Sequence, residues 1–199
     1  MKPLPILANV PGSVELPPAA TCWINLHRTH LSGDITKSYN ESLKEDFFDI
    51  VYELEDILKP GATLLDIGCG MAGIDVLLYR HFGCNLLLLD GDGPIDDWRG
   101  GYEQTMKPFS SRTATNELLE MNGVSNIHWL NVGTRIIPPV AAAISLLSMG
   151  HHYPIDTYKV DCDVLIADCR LGMDGIKTMN RPHKILRTTT KSQRVAFYR

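Results

Sequence analysis

An aspartate two residues ahead of a glycine-rich loop carries the strongest chemical signal in this sequence. Residues 64–73 read Leu-Leu-Asp-Ile-Gly-Cys-Gly-Met-Ala-Gly: an apolar run ends in Asp66, and Gly68, Gly70 and Gly73 follow at Gly-x-Gly-x-x-Gly spacing. Glycines so spaced between a strand and a helix make a tight turn and let backbone approach a ligand closely. The spacing alone fits any nucleotide cofactor. Helix N-termini favour anions, because free N–H groups and the helix dipole point at the ligand. A fixed carboxylate at Asp66 opposes a pyrophosphate there and suits a ligand that carries an ammonium and a sulfonium. The plainer alternative is a strand–helix turn with glycines for packing alone.

Asp90 lies twenty residues after Gly70, at the end of the apolar run 85–89. In nucleotide-binding sheets an acid at the end of the second strand hydrogen-bonds ribose hydroxyls. Asp90 could equally cap the turn Gly91-Asp92-Gly93, since aspartate before glycine is common turn chemistry. Asp66 and Asp90 end strands that this topology makes neighbours. Together they lean toward S-adenosylmethionine and away from NAD.

Leu64-Leu65-Asp66-Ile67-Gly68-Cys69-Gly70 and Leu88-Leu89-Asp90 resemble the glycine-rich and acidic second-strand motifs of class I S-adenosylmethionine-dependent methyltransferases, and the resemblance covers about residues 40–199. It implies that Asp66, Ile67, Gly68, Cys69 and Gly70 hold the methionine part of the cofactor and that Asp90, with Gly91, holds the ribose. Leu130, Asn131 and Val132 would hold the adenine, with Asn131 standing where the family has aspartate. Leu147, after the fourth strand, joins the cofactor-binding set. The segment Ser145-Leu146-Leu147-Ser148-Met149-Gly150-His151-His152-Tyr153-Pro154 differs from the Asn/Asp-Pro-Pro-Tyr loop of amino-group methyltransferases, and it lacks the Pro-Cys nucleophile of cytosine-C5 enzymes. It is similar to the Ser-x-x-Ser-x-Gly-x-His-Tyr-Pro segment of sugar or small-molecule O-methyltransferases. Tyr158 and Arg194-Val195-Ala196-Phe197 fit the closing pattern of the same group.

Methyl transfer to a hydroxyl requires that the acceptor oxygen be oriented and its proton removed. Histidine is the usual base near neutral pH, which makes His151 and His152 the catalytic candidates; either could instead be a hydrogen-bonding residue that holds the loop. Asp96, Asp97, Trp98 and Arg99, on the long stretch 91–112, could close as a lid or form a solvated loop. His27, Arg28, His30, Asp34 and Tyr39 precede the first clear helix and could cover the cofactor or substrate. The fifth strand ends Ala167-Asp168-Cys169-Arg170. One acid is too few for a hard cation, so no metal is expected.

Three rival functions remain at this stage. A nucleic-acid-modifying methyltransferase would use the basic C-terminal stretch (Arg170, Lys177, Arg181, Lys184, Arg187, Lys191, Arg194, Arg199) on the backbone, and Trp98 or Tyr102 to stack a base. A non-catalytic S-adenosylmethionine-binding partner or sensor would bind without turnover. An NAD-linked enzyme is disfavoured by Asp66. The net charge of −4 over 199 residues also argues mildly against a nucleic-acid partner.

The elements that would position these residues alternate along the chain. Ser38–Leu58 has helical spacing of Leu43, Phe47, Ile50, Val51 and Leu54, stopped by Lys59-Pro60-Gly61. Strands are expected at 63–67, 85–89, 126–130, 141–147 and 163–167, then at 184–190 and 194–199. Helices are expected at 70–82 and 113–121, with at most a short one at 156–160. Residues 1–20 hold five prolines and read as an extended arm. The expected fold is α/β: a doubly wound, mainly parallel seven-stranded sheet, Rossmann-like, with a C-terminal antiparallel strand. Residues 1–37 would form an arm or cap and 38–199 the single methyltransferase domain. Five cysteines without a Cys-x-x-Cys pair fit a reducing compartment. With no signal pattern and no membrane-length apolar run, a cytoplasmic protein is expected.

Overall fold

The two acid-tipped runs form adjacent parallel strands at the middle of the sheet. In the computed structural model, which describes residues 10–27, 31, 33–92 and 111–199, β1 (Thr63–Ile67) and β2 (Asn85–Leu89) pair from Thr63↔Asn85 to Ile67↔Leu89. The other strands are β3 (Ile127–Leu130), β4 (Ala142–Ser145), β5 (Val164–Arg170), β6 (His183–Thr188) and β7 (Ser192–Tyr198). The sheet order is β3-β2-β1-β4-β5-β7-β6. The first five strands run parallel and β7 runs antiparallel to both its neighbours. The order reverses between β1 and β4, where ligands of such sheets bind at the carboxyl ends.

Four helices cover one face: α1 (Pro18–His27), α2 (Ile35–Leu54), α3 (Gly73–Phe82) and α4 (Arg112–Met121). Their apolar side chains pack on Leu64, Leu86, Leu88, Ile144 and Ile166 in one cluster. Each leucine so buried contributes about 1.5–3 kcal/mol. The alternate strand residues Leu65, Ile67, Leu87, Leu89, Leu165 and Phe197 form a second cluster on the opposite face. There the partners are Ile137, Val140, Met149, Tyr153, Ile155 and Tyr158, which belong to the β3–β4 and β4–β5 connections. Among the described residues that face carries only α5 (Gly175–Met179). Among the described residues the longer helices are therefore heaped on one face, and the two-sided cover that a doubly wound sheet expects is not seen. The β4–β5 connection buries its aromatics as turns, and the short helix expected at 156–160 is absent.

Residues 10–27 of the N-terminal stretch pack on the rest of the chain. Helix α1 starts at Pro18, because proline's missing N–H costs nothing in the first turn. Before it, Asn40 exchanges two hydrogen bonds with the backbone of Val14 (2.7 and 3.0 Å) and Asn122 two with Glu15 (2.9 and 2.8 Å). These amides act like a neighbouring strand, and Val14, Ala20 and Ile24 join the main core. Among the described residues no helix is long and apolar enough to cross a membrane. Residues 93–110, with Asp96, Asp97, Trp98, Arg99 and Tyr102, lie outside the described residues, as do Arg28, His30 and the side chain of His27.

Candidate active site

The three glycines after β1 serve three different needs. Gly68 has φ +76°, and a Cβ there would sit 1.7 Å from the Ser148 Oγ, so the β4–β5 connection rests directly on it. Gly73 makes room for α2, since a Cβ would lie 2.3 Å from the Tyr39 hydroxyl. Gly70, at φ +56°, has nothing among the described residues within 4 Å of its Cβ position. Of the three, Gly70 alone faces open space at the mouth of the loop.

The carboxylate of Asp90, just beyond β2, accepts from Gly70 N through Oδ2 and from Gly91 N through Oδ1, both at 2.6 Å. It is half-buried and braces the loop across twenty residues. The turn-capping and ligand-holding readings of Asp90 are compatible, because each carboxylate oxygen has a second lone pair. Asp66 is buried on the helix-covered face of β1. Its neighbour is Asp75 in the first turn of α3, fully buried, with neither oxygen accepting from any donor. Two carboxyls in contact are satisfied only when one carries a proton. Burial, then the charge of Asp75, then that of Asp90 hold Asp66 well above the usual carboxylate range. Burial pushes Asp75 up to about 7. Burial and the charge of Asp90 also hold the Cys69 thiol well above its ordinary value, so it is protonated and unreactive.

The segment after β4 is tied down at every turn. The Ser145 hydroxyl donates to Ile67 O (2.9 Å) and accepts from Met149 N (2.7 Å), which bolts the segment to the end of β1. Leu147 sits at φ +55° with its N–H on the Asp168 Oδ2 at 3.0 Å, and its side chain is 48% exposed. His151 N and His152 N both donate to Ser148 O. The two half-buried rings meet edge to face, with centroids 4.6 Å apart. The Ser148 and Tyr153 hydroxyls are 2.9 Å apart, and burial raises the Tyr153 phenol, so it stays protonated. Glycine loop and histidine pair thus share one end of the sheet, with Ser148 between them.

At the end of β3, Arg112 reaches across from α4. Its Nη2 donates to Asn131 Oδ1 (2.5 Å) and lies 3.4 Å from the carbonyls of Asp90 and Leu130. Its guanidinium carbon stands 5.2 Å from the Trp129 ring centroid. The Val132 carbonyl accepts from the Tyr158 hydroxyl at 2.8 Å.

Composition and spacing do not reveal Arg112, Asp75 or the partner of Asp168. Asp168 is held by Arg194 through Nε–Oδ1 and Nη2–Oδ2 contacts of 3.0 Å each. Arg194 also reaches Asp46 (2.8 Å) and Asp49 (3.0 Å) on α2. Asp34, one of the expected covering residues, caps α2 by accepting from Lys37 N (3.0 Å), and Tyr39 lies in the core. Among the described residues no group of three or more histidines, cysteines or acids is placed to hold a metal ion.

The sheet order, the single antiparallel β7 and the glycine loop at the β1–α3 turn define a Rossmann-like methyltransferase fold. Two of the solved structures that share it are the following. One is yhhF of Escherichia coli, described as a methyltransferase (TM-score 0.55, 11% identity, 80% of this chain and 86% of that one). The other is the precorrin-6y C5,15-methyltransferase of Geobacter metallireducens (TM-score 0.51, 10% identity, 75% and 87%). The sequence itself matches no protein-family model and no curated protein.

Proposed function

We propose that this chain is an S-adenosylmethionine-dependent methyltransferase acting on a hydroxyl of a small molecule such as a sugar or nucleotide-sugar. The observation that carries the reading is the open Cβ position of Gly70 among the described residues, with the Gly70 N–H donating to the Asp90 carboxylate at 2.6 Å. A ligand approaching backbone there meets a negative, cation-favouring corner, which fits an ammonium and a sulfonium and opposes a pyrophosphate. Asp66, Ile67, Gly68, Cys69 and Gly70 would line the methionine part. Asp90 and Gly91 would meet the ribose, Asn131 and Val132 the base, and Leu147 the rim.

When bound, S-adenosylmethionine supplies an electrophilic methyl group. The work of the protein is to hold the acceptor oxygen in line and to take its proton. His151 or His152 does the second, as general base. The tethers from Ser145, Asp168 and Ser148 fix the backbone that carries both imidazoles and so hold the base in place against the acceptor. Tyr153, kept protonated, is a hydrogen-bond donor and not a rival base.

The nucleic-acid reading loses its main support. Lys184 pairs with Glu53, Arg187 with Asp49 and Glu45, Arg194 with Asp46, Asp49 and Asp168, and Arg199 with Asp161 and Asp163. Much of the basic stretch is spent on acids of the same chain. The test is a screen with methyl-labelled S-adenosylmethionine over sugars, nucleotide-sugars and short RNA and DNA strands. Label in a small hydroxyl compound is expected. Label in nucleic acid alone would overturn the acceptor class, and failure to bind S-adenosylhomocysteine would overturn the cofactor.

A further inference from the structure

Leu147 occupies a backbone position that suits glycine or asparagine better than leucine. Its φ is +55°, in the left-handed region where a bulky side chain costs free energy. Glycine, or asparagine with its short polar side chain, sits there readily. The leucine side chain does no packing in the core. It is exposed and belongs to neither apolar cluster, whereas Leu146 before it packs on the helix-covered one. The bond from Leu147 N to the buried Asp168 carboxylate holds the strained turn in place. An exposed apolar side chain on a strained, tethered backbone points to a contact outside the fold.

The neighbouring residues define that contact. The Ser148 carbonyl, one residue on, accepts the N–H groups of both His151 and His152. Across the end of β5, Arg170 N donates to Gly150 O at 2.9 Å and ties the turn at 171–173 to the same segment. That turn carries Leu171 and Met173, 45% and 41% exposed and likewise outside both clusters. Ser145 and Asp168, polar residues at the two strand ends, are buried. The carboxyl ends of β4 and β5 thus offer an acceptor three apolar side chains beside two imidazoles. We propose that Leu147, with Leu171 and Met173, selects an acceptor whose reacting hydroxyl adjoins an apolar group such as an aromatic ring, so that a bare sugar is the poorer substrate. The inference rests on the methyltransferase reading above and narrows its acceptor class. A ring laid on these side chains leaves water, whereas a sugar hydroxyl gains nothing from them.

The experiment follows methyl label from S-adenosylmethionine into acceptor pairs that differ by a ring. The pairs are the methyl and phenyl β-glycosides of glucose, galactose and mannose, and ethanol with benzyl alcohol. In each pair that accepts label, the ring-bearing member is expected to show kcat/KM about tenfold or more above its partner, as partial burial of a ring allows. Leu147→Asn is expected to bring that ratio to about threefold or less. The ratio compares two acceptors on one protein, so an effect of Leu147 on the cofactor cancels. The variant is also expected to unfold at an equal or higher urea midpoint, because asparagine relieves the left-handed strain. Equal rates within the pairs, an unchanged ratio or no activity in Leu147→Asn, or a lower midpoint for it would each overturn the inference. So would label in no pair while S-adenosylhomocysteine binds, and each of these leaves the cofactor reading standing. Failure of the wild type to bind S-adenosylhomocysteine overturns both.

Discussion

Arg194 grips Asp168 with two parallel hydrogen bonds of 3.0 Å, and the same Asp168 Oδ2 accepts the N–H of Leu147. Leu147, near the start of the histidine-bearing segment, therefore hangs on an ion pair inside the core. Arg194 is 5% exposed on β7, and its third nitrogen spans to Asp46 and Asp49 of α2. Burial opposes its charge, but the Asp168 and Asp46 carboxylates outweigh that and hold the guanidinium above its ordinary value. One side chain joins the helix layer, two strands and the candidate active site.

Removing that guanidinium should be among the most damaging single changes in the chain. Arg194→Ala leaves Asp168 buried without its partner, and breaking such a pair costs about 3–5 kcal/mol. Urea unfolding should show an unfolding free energy lower by that amount. A loss below about 1 kcal/mol, the range of an exposed ion pair, would mean that the network does not hold the fold.

Gly68 and Gly70 should respond differently to the same substitution. Both have positive φ, so alanine costs about 1–2 kcal/mol of backbone strain at either. At Gly68 the new Cβ also strikes Ser148, adding about 1–3 kcal/mol of overpacking. At Gly70 it meets nothing within 4 Å among the described residues. Gly70→Ala should therefore stay folded and lose affinity for S-adenosylhomocysteine, while Gly68→Ala should lose stability first. Unchanged calorimetric affinity in folded Gly70→Ala would remove Gly70 from the cofactor site.

The contrast between these glycines marks what local sequence carries. β1 and β2 are legible because short apolar runs stand between glycine and proline punctuation, and the meeting of Asp90 with the Gly70 loop is legible because the two runs end as neighbouring parallel strands. Helix α1 is hidden because a proline pair reads as a break, although proline suits a first helical turn. The bareness of the second face is hidden because the apolar residues of the β3–β4 and β4–β5 connections have no period to betray how they pack. Arg194, Arg112 and Asp75 are hidden for a third reason. Their roles come from partners up to 148 residues away, and a buried ion pair looks the same in sequence as a solvated charge.

The histidine pair separates binding from chemistry. His151→Ala and His152→Ala together should leave affinity for S-adenosylhomocysteine unchanged, because the backbone tethers of the segment survive the substitutions. Methyl transfer should fall by about 10²–10⁴, the usual worth of a positioned base. The single variants should be unequal, and the true base should also lose the acidic limb of the pH–rate profile. Full activity in the double variant would leave the imidazoles a structural role only.

Asp75 should make the stability of the unliganded protein fall as pH rises. Its folded pKa of about 7 stands above the ordinary carboxyl value of 3.8, so between these values the folded state binds a proton that the unfolded state has released. Linkage then lowers unfolding free energy as pH climbs through that window and leaves it flat above the folded pKa. Asp66 is displaced in the same direction, mainly by burial and next by Asp75, so it adds to the slope and does not cancel it. Asp75→Asn removes one of the two titrating groups and gives Asp66 an amide donor in its place. From pH 5.5 to pH 8 the wild type should lose about 2 kcal/mol relative to Asp75→Asn, read as the difference between their urea midpoints at each pH. Two curves that run parallel across that range would show that the pair keeps no shared proton, and Asp66 would then present its full charge to the loop at neutral pH.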